Sequence, residues 1–326
     1  MTTAARPLLT RRALLDAGHT PAELSRRVRS GELVRLAGGV FRTVAETDPI
    51  ADYRDRVVAR ALKAPTGVVS HASAAALHGL PLGRSELGAV HLTVPPHWGG
   101  RRTSAFVRHA AQLDDGDVIG TDGLRITSVA RTLVDLARST RREAVVMAAD
   151  HALRDRLTTP AEVLAVLHRG RVRPGTPSAR RALAAVDGRS ESPGESRLRL
   201  MLSPPGWPVP ELQTEIRSAA GVFLGRVDLA YVDVATLVEF DGHSKYRVGD
   251  RWDSTVLVRE KEREDALRSA GFTVVRFVWK ELSHPDLVLA RVEEAWERGR
   301  RMLAAGAVTG TVHVTPPLRI ESLARR

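Results

Sequence analysis

The 326-residue chain contains no cysteine. Disulfides, zinc ribbons and thiol nucleophiles are excluded on that ground alone. Aromatic residues make up 4% of the chain against 43% hydrophobic residues in all, so Ala, Leu and Val must carry the core. No uncharged apolar run reaches the ~18 residues that a membrane span requires. The N-terminal text M-T-T-A-A-R-P-L-L-T-R-R has no apolar stretch of the kind a signal peptide needs. The expectation is a cytoplasmic protein without a membrane partner. Internal repeats and low-complexity tracts are also missing.

What is present in excess is positive charge. Lysine and arginine number 49 against 38 acids, a net charge of +11, which implies a polyanionic partner such as DNA. Arginine far outnumbers lysine; that suits phosphate recognition and equally follows from a GC-rich genome. The length exceeds one typical domain and suggests two or three.

The stretch from Val227 to Trp279 is the most informative. Acids interrupt runs that otherwise read as buried strand: Asp228 among Val227, Leu229 and Tyr231, then Glu239 and Asp241 around Val238 and Phe240. A carboxylate in a core strand is costly to desolvate unless it is paired or holds a cation. Side chains alternate along a strand, so Glu239 and Asp241 share a face. If the chain turns back near Asp233 and Val234, residues whose numbers sum to roughly 467 lie opposite each other, and cross-strand neighbours are about 5 Å apart. Asp228 then faces Glu239, and Asp228, Glu239 and Asp241 come within reach of one Mg²⁺ or Mn²⁺, hard ions that take oxygen ligands. The competing reading is an exposed antiparallel face carrying ordinary surface acids.

The text E-F-D-G-H-S-K-Y, followed by E-K-E-R-E-D-A-L-R-S-A-G and F-T-V-V-R-F, resembles the C-terminal domain of proteins related to the very-short-patch-repair endonuclease. That family belongs to the restriction-endonuclease-like, PD-(D/E)xK superfamily. The resemblance covers roughly residues 191–300, and its combination of motifs is specific where single pieces are weak. It implies that Asp228 is the metal-binding Asp and Glu239 the acid that opens (D/E)xK. Glu195, in S-P-G-E-S-R-L, matches a helical Glu found in many members. Ser192, Pro193 and Glu195 also spell a helix cap with proline at the first helical position, which would place Glu195 there without any metal. Both readings stay open.

One position departs from the pattern. The lysine expected two residues after the strand acid is replaced by Asp241. Phosphodiester hydrolysis needs a cation near the attacking water or the scissile phosphate. Lys245 is the preferred relocated lysine, Lys261 the second candidate, and His243 a candidate general base. Each also has a structural reading, as a strand edge, a solvated helix face and a turn residue.

Residues 1–45 read as a small helical unit closed by a hairpin. Thr10 caps a helix containing Leu14 and Leu15 that stops at Gly18. Thr20, with Pro21 and Glu23, caps a second helix whose Leu24 and Val28 face inward. Gly38-Gly39 marks a two-residue hairpin turn. Helix, turn, basic helix, hairpin is the order of a winged helix-turn-helix, whose second helix enters the major groove. Eight arginines against three acids in residues 1–43 give this segment a balance of +5. Arg26, Arg27, Arg29, Arg35 and Arg42 are the candidate DNA contacts, against the reading that such a charge run is merely a solvated face.

This segment and the next, with V-V-S-H-A-S-A-A-A-L-H-G-L-P-L, V-H-L-T-V-P and G-L-R-I-T-S-V-A-R-T-L-V-D-L-A-R, resemble the AbiEi-type antitoxins of type IV toxin–antitoxin systems. The resemblance implies binding of an operator by the winged helix and neutralisation of a nucleotidyltransferase-like toxin by the larger domain. From the residues alone, V-H-L-T-V is a strand, and Val129, Leu133 and Leu136 lie at helical spacing after the cap Ser128. His71, His78 and His91 fall on separate elements and are assigned no role. Residues 165–195 are rich in helix and strand breakers and read as a linker or exposed turn.

The expected architecture is therefore a multidomain α/β protein: a winged helix-turn-helix at 1–45, an antitoxin-like α/β domain at 50–187, a restriction-endonuclease-like mixed sheet flanked by helices at 191–305, and a C-terminal tail at 306–326. The expected function is a DNA-binding, Mg²⁺-dependent endonuclease acting through Asp228, Glu239, Lys245 and Glu195. The alternative is a non-catalytic transcriptional regulator or antitoxin with a degenerate nuclease-like domain.

Overall fold

A computed structural model of the chain describes residues 7–44, 48–121, 123–170, 174–242, 247–248, 251–252 and 254–320. They form an α/β protein whose contacts divide it into two compact units. One unit falls within Met1–Ala148 and Leu157–Ala182, the other within Ala149–Arg156 and Leu183–Arg326. The first contains both the basic N-terminal segment and the central residues.

In the first unit, Thr10 and Thr20 cap the helices Arg11–Asp16 and Pro21–Arg29, each hydroxyl accepting a backbone N–H three residues on. Strands Leu33–Ala37 and Val40–Thr43 pair across Gly38-Gly39, Gly39 taking the positive φ that such a turn demands. Leu9–Thr10 completes a three-stranded sheet. Leu14, Leu24, Leu33 and Phe41 meet beneath it as a small core.

The same unit holds a six-stranded sheet in the order Arg101–Arg102, Phe106–Ala110, Val90–Val94, Val68–Val69, Leu124–Thr127, Val118–Thr121. Its core includes Tyr53 and Val57 of helix Pro49–Ala61 with Val69, Leu92 and Ile126. Ser128 caps helix Val129–Ser139, in which Leu133 and Leu136 are buried. Buried Arg131 joins Asp117 (2.8 Å) and Asp135 (2.9 Å), so each desolvated charge has a partner.

The second unit is built on a five-stranded mixed sheet ordered Thr273–Val278, Thr236–Asp241, Phe223–Tyr231, Glu211–Arg217, Thr311–His313. Three pairings are antiparallel; Thr236–Asp241 and Thr273–Val278 are parallel and joined through helix Ser254–Ser269. Leu229, Val238, Phe240 and Phe277 pack on one face with helices Pro193–Met201 and Pro285–Ala304, through Leu198, Val292 and Trp296. Val227, Leu237 and Val274 pack on the other face with Leu267 of helix Ser254–Ser269. Alternation sorts Leu237 and Val238 to opposite cores but breaks between Val227 and Leu229, which are two residues apart and still lie in different cores.

One expectation is corrected here. The breaker-rich stretch read as a linker carries helix Thr176–Leu183 and a buried network in which Asp187 binds Arg189 (2.8 Å) and Arg319 (2.9 Å). Turn-forming residues close that network, and composition alone does not separate the two uses. The stretch beyond about 305, read as a strand or a tail, contains the strand: Thr311–His313 extends the sheet, and Arg319 bridges to Asp187.

Candidate functional site

The hairpin bearing the acids turns through Val232–Val234, with Ala235 in the left-handed region, and pairs Leu229 with Val238, Ala230 with Leu237 and Tyr231 with Thr236. Every pair sums to 467. The ladder ends at Leu229 and Val238, so the expected pairing of Asp228 with Glu239 is not part of it; the Asp228 carboxylate instead takes the Phe240 backbone N–H where the ladder would continue. There Asp228, Glu239 and Asp241 line one cavity of about 260 Å³ with Gln213, Glu260, Arg226, Arg263 and Arg276.

The acids are held differently. The Asp228 carboxylate accepts the Phe240 backbone N–H at 2.7 Å. Glu239 is buried; its Oε1 lies 2.7 Å from Arg263 and its Oε2 2.8 Å from Arg276. Both guanidiniums also reach Glu260 at 2.6 Å, so two arginines and two glutamates form a network that Arg276 extends to Glu264 at 3.4 Å. Burial lowers the Arg263 pKa, but the hydrogen bonds and charges of Glu260 and Glu239 outweigh it and push the group up. Arg263 therefore stays charged across the physiological range.

Glu195 sits beside this cavity without lining it. Ser192 accepts the Glu195 N–H, so the cap is present. The Glu195 carboxylate is buried and accepts the Glu191 N–H at 2.8 Å and the Gln213 side chain at 2.9 Å. Gln213 occupies mid-strand with φ +48. A non-glycine residue held there costs about 1–3 kcal/mol and marks a place where surroundings override local preference.

Lys245 and His243 lie outside the described residues. Lys261 is exposed and is not among the residues lining the cavity; the cationic groups lining it among the described residues are Arg226, Arg263 and Arg276. Sequence reasoning missed Arg263, Arg276 and Gln213. The one available signal was Arg276 inside the strand text F-T-V-V-R-F, where an interior charge needs a partner.

Among the N-terminal arginines, Arg26, Arg29 and Arg35 are exposed, and Arg27 is half-buried and bonded to Glu32 at 3.2 Å. Arg42 is corrected. It is buried, donates to Asp52 at 2.5 Å and lies 3.5 Å from the Asp55 carboxylate as an ion pair, so it braces the sheet against helix Pro49–Ala61 and presents nothing to a phosphate.

The three histidines left without a role divide. His78 bonds the Thr127 carbonyl at 2.7 Å, a structural contact. His71 and His91 come together with His109, their ligating nitrogens all within 4.8 Å of one another.

Fold and site define a multidomain α/β protein with a carboxylate–arginine cavity in one unit and a histidine cluster in the other. No helix among the described residues is long and apolar enough to cross a membrane. No family model matches the chain. Two proteins of Mycobacterium tuberculosis, the uncharacterized proteins Rv2248 and MT2308, are each 30% identical to it over 283 residues, covering 86% of this chain and 98% of theirs. The chain belongs to the family of these mycobacterial proteins.

Proposed function

We propose that the chain is a DNA-binding protein whose second unit hydrolyses phosphodiester bonds with Mg²⁺ or Mn²⁺. The observation that carries this reading is the convergence of Asp228, Glu239 and Asp241 on one small cavity lined by three arginines. A helix ahead of three antiparallel strands, then a helix leading to a parallel strand, supports a restriction-endonuclease-like domain there. The helix pair and hairpin of residues 9–43, with Arg26, Arg29 and Arg35 exposed, support a winged helix-turn-helix.

The donor set fits a hard divalent ion, since three carboxylates offer only oxygen. Such an ion, when bound, polarises a phosphate oxygen and lowers the pKa of a water. Asp228 and Asp241 would hold it, with Glu239 sharing its oxygens between the site and its arginines. Arg226, Arg263 and Arg276 draw the phosphodiester in and balance the charge that grows on it, the task the missing lysine performs in the superfamily.

A second reading rests on that ion-pair network. Both Glu239 oxygens are bound to guanidiniums and Asp228 to a backbone N–H, which suits a structural ion-pair cluster in a non-catalytic regulator or antitoxin. In that reading the partners are operator DNA and a nucleotidyltransferase-like toxin.

Plasmid nicking with Mg²⁺ or Mn²⁺ separates the two. The wild type is expected to nick; Asp228→Asn, whose amide oxygen still accepts the Phe240 N–H, is expected to lose at least a hundredfold in rate. Lys245→Ala in the same assay asks whether the arginines suffice. A wild type inert on duplex, single-stranded and mismatched DNA with both metals leaves the regulator reading standing.

A further inference from the structure

We propose that His71, His91 and His109 form a binding site for a Zn²⁺ ion, separate from the carboxylate cavity and built entirely within the first unit. His91 and His109 come from the parallel neighbours Val90–Val94 and Phe106–Ala110. The register pairs His91 with Val107 and Thr93 with His109, so both histidines project from one face of the sheet. His71 begins the helix His71–Leu77 and brings its ring onto that face, stacked on His109 with centroids 3.6 Å apart.

Three features distinguish the cluster from ordinary core histidines. The first is the contact between His91 Nδ1 and His109 Nε2 at 2.9 Å. Two ligands of a tetrahedral zinc with Zn–N of 2.0–2.1 Å stand roughly 3.3 Å apart, so opening this contact by a few tenths of an ångström admits the ion. The second is orientation. His71 Nδ1 bonds Ser70 Oγ at 3.0 Å, and that hydroxyl accepts from Thr93 at 2.8 Å. His71 Nε2 is left for the metal, and its ring is fixed by the kind of outer contact that orients metal-binding imidazoles. The third is strain: His71 is held at φ +53, a conformation that persists in a non-glycine residue only where the surroundings impose it.

The electrostatics supply the right protonation state. Burial pushes His71 well below its usual range, with neighbouring His91, Arg131 and Arg138 adding to the effect. Burial and Arg102 lower His91 to about 4. Burial and the other two histidines lower His109 to about 3, against the opposing pull of Asp135. All three imidazoles are neutral at pH 7, as metal ligation requires. Arg131 and Arg138 face Asp135, which offsets their repulsion of a cation.

Three protein ligands leave one position for water or an anion. The histidines line a cavity of about 880 Å³ that also contains Glu86, Arg102 and Arg141. Glu86 lines the same cavity, buried and with its Oε2 lacking a hydrogen-bond partner. Imidazole nitrogen as the sole donor type selects Zn²⁺ and its first-row neighbours over Mg²⁺.

The test uses the whole chain, stripped with a chelator and titrated with Zn²⁺ or Co²⁺. One equivalent should bind with micromolar affinity or better. X-ray absorption of the zinc-loaded wild type should show imidazole nitrogens at about 2.0 Å. His91→Gln and His109→Gln should each weaken binding at least tenfold, while Asp228→Asn leaves it unchanged and so separates this site from the carboxylates. A wild type that retains no stoichiometric zinc, an absorption spectrum without imidazole, or His variants that bind undiminished overturns the proposal. The spectrum needs no variant, so a His substitution that fails to fold does not shield it.

Discussion

Glu239 and Arg276 stand opposite each other in the parallel strand pair, and their side chains meet at 2.8 Å. Because Glu239 is also the acid expected to hold a metal, its replacement has two separable effects. Glu239→Gln keeps the shape and removes the charge, leaving Arg263 and Arg276 with less compensation. Breaking a fully buried pair costs about 3–5 kcal/mol; both arginines here are about one-quarter exposed, so roughly 2 kcal/mol is expected. Urea unfolding without metal measures that loss. Repeating it with Mn²⁺ at a hundred times its dissociation constant should add ~2.7 kcal/mol to the wild type and nothing to the variant. An equal gain in both would place the metal elsewhere.

The arginines of the first unit should sort by exposure. Replacing Arg26, Arg27 and Arg29 together with alanine should abolish most duplex binding and leave the fold unchanged. Three phosphate contacts correspond to an affinity that falls about 40-fold between roughly 50 and 200 mM salt, and the triple variant should lose that slope. Arg42→Ala should do the reverse, lowering stability by about 3 kcal/mol while the remaining folded protein binds DNA normally. Fluorescence anisotropy beside thermal unfolding checks both, and an Arg42 variant that is stable but blind to DNA contradicts its assignment as a brace.

Gly194 couples helix Pro193–Met201 to the acid-bearing strand. A Cβ at this position would come within 2.0 Å of the Phe240 ring. The ring is itself packed edge-on against Trp279 and has little room to retreat. Gly194→Ala should cost about 1–3 kcal/mol through overpacking. It should also displace Phe240, whose N–H holds Asp228, and reduce any Mn²⁺ effect on stability. A variant as stable as wild type would show that the helix slides freely on the sheet.

Burial holds the His78 pKa below its usual value, against the opposing hydrogen bond to Thr127. The folded state then binds fewer protons than the unfolded state once the pH falls below about 6.5, and linkage requires stability to fall with it. The contribution of His78 is fully present above pH 6.5 and is lost as the pH drops through the folded value. Thermal unfolding at a series of pH values should show a shallower acid slope in His78→Gln than in wild type. A steeper slope in the variant would reverse the sign assigned to this group.

Local chemistry was legible wherever neighbours in sequence are neighbours in space. The caps Thr10, Thr20, Ser128 and Ser192 follow from short hydrogen bonds, and the sum of 467 from a tight turn. The arginines around Glu239 were not legible, because Arg263 and Arg276 arrive through a parallel crossover whose register nothing local specifies. His109 was missed for the same reason: His71, His91 and His109 meet through a helix start and two parallel strands. Gln213 left no trace either, since its left-handed backbone is imposed by packing. Arg42 was misjudged because alternation places a side chain on a face without telling whether Asp52 and Asp55 cover that face.

The second unit reaches back for Ala149–Arg156, so neither unit is one uninterrupted stretch of chain. Asp150, buried in that borrowed segment, accepts from the Asp187 N–H, Ser196 and Arg199 at 2.6–2.7 Å. A gene fragment cut near residue 190 would strand Ser196 and buried Arg199 without their carboxylate. The two halves of this protein therefore cannot be traded by a single recombination event, as cassette-like modules are. One cut that keeps either core intact carries a piece of the other along.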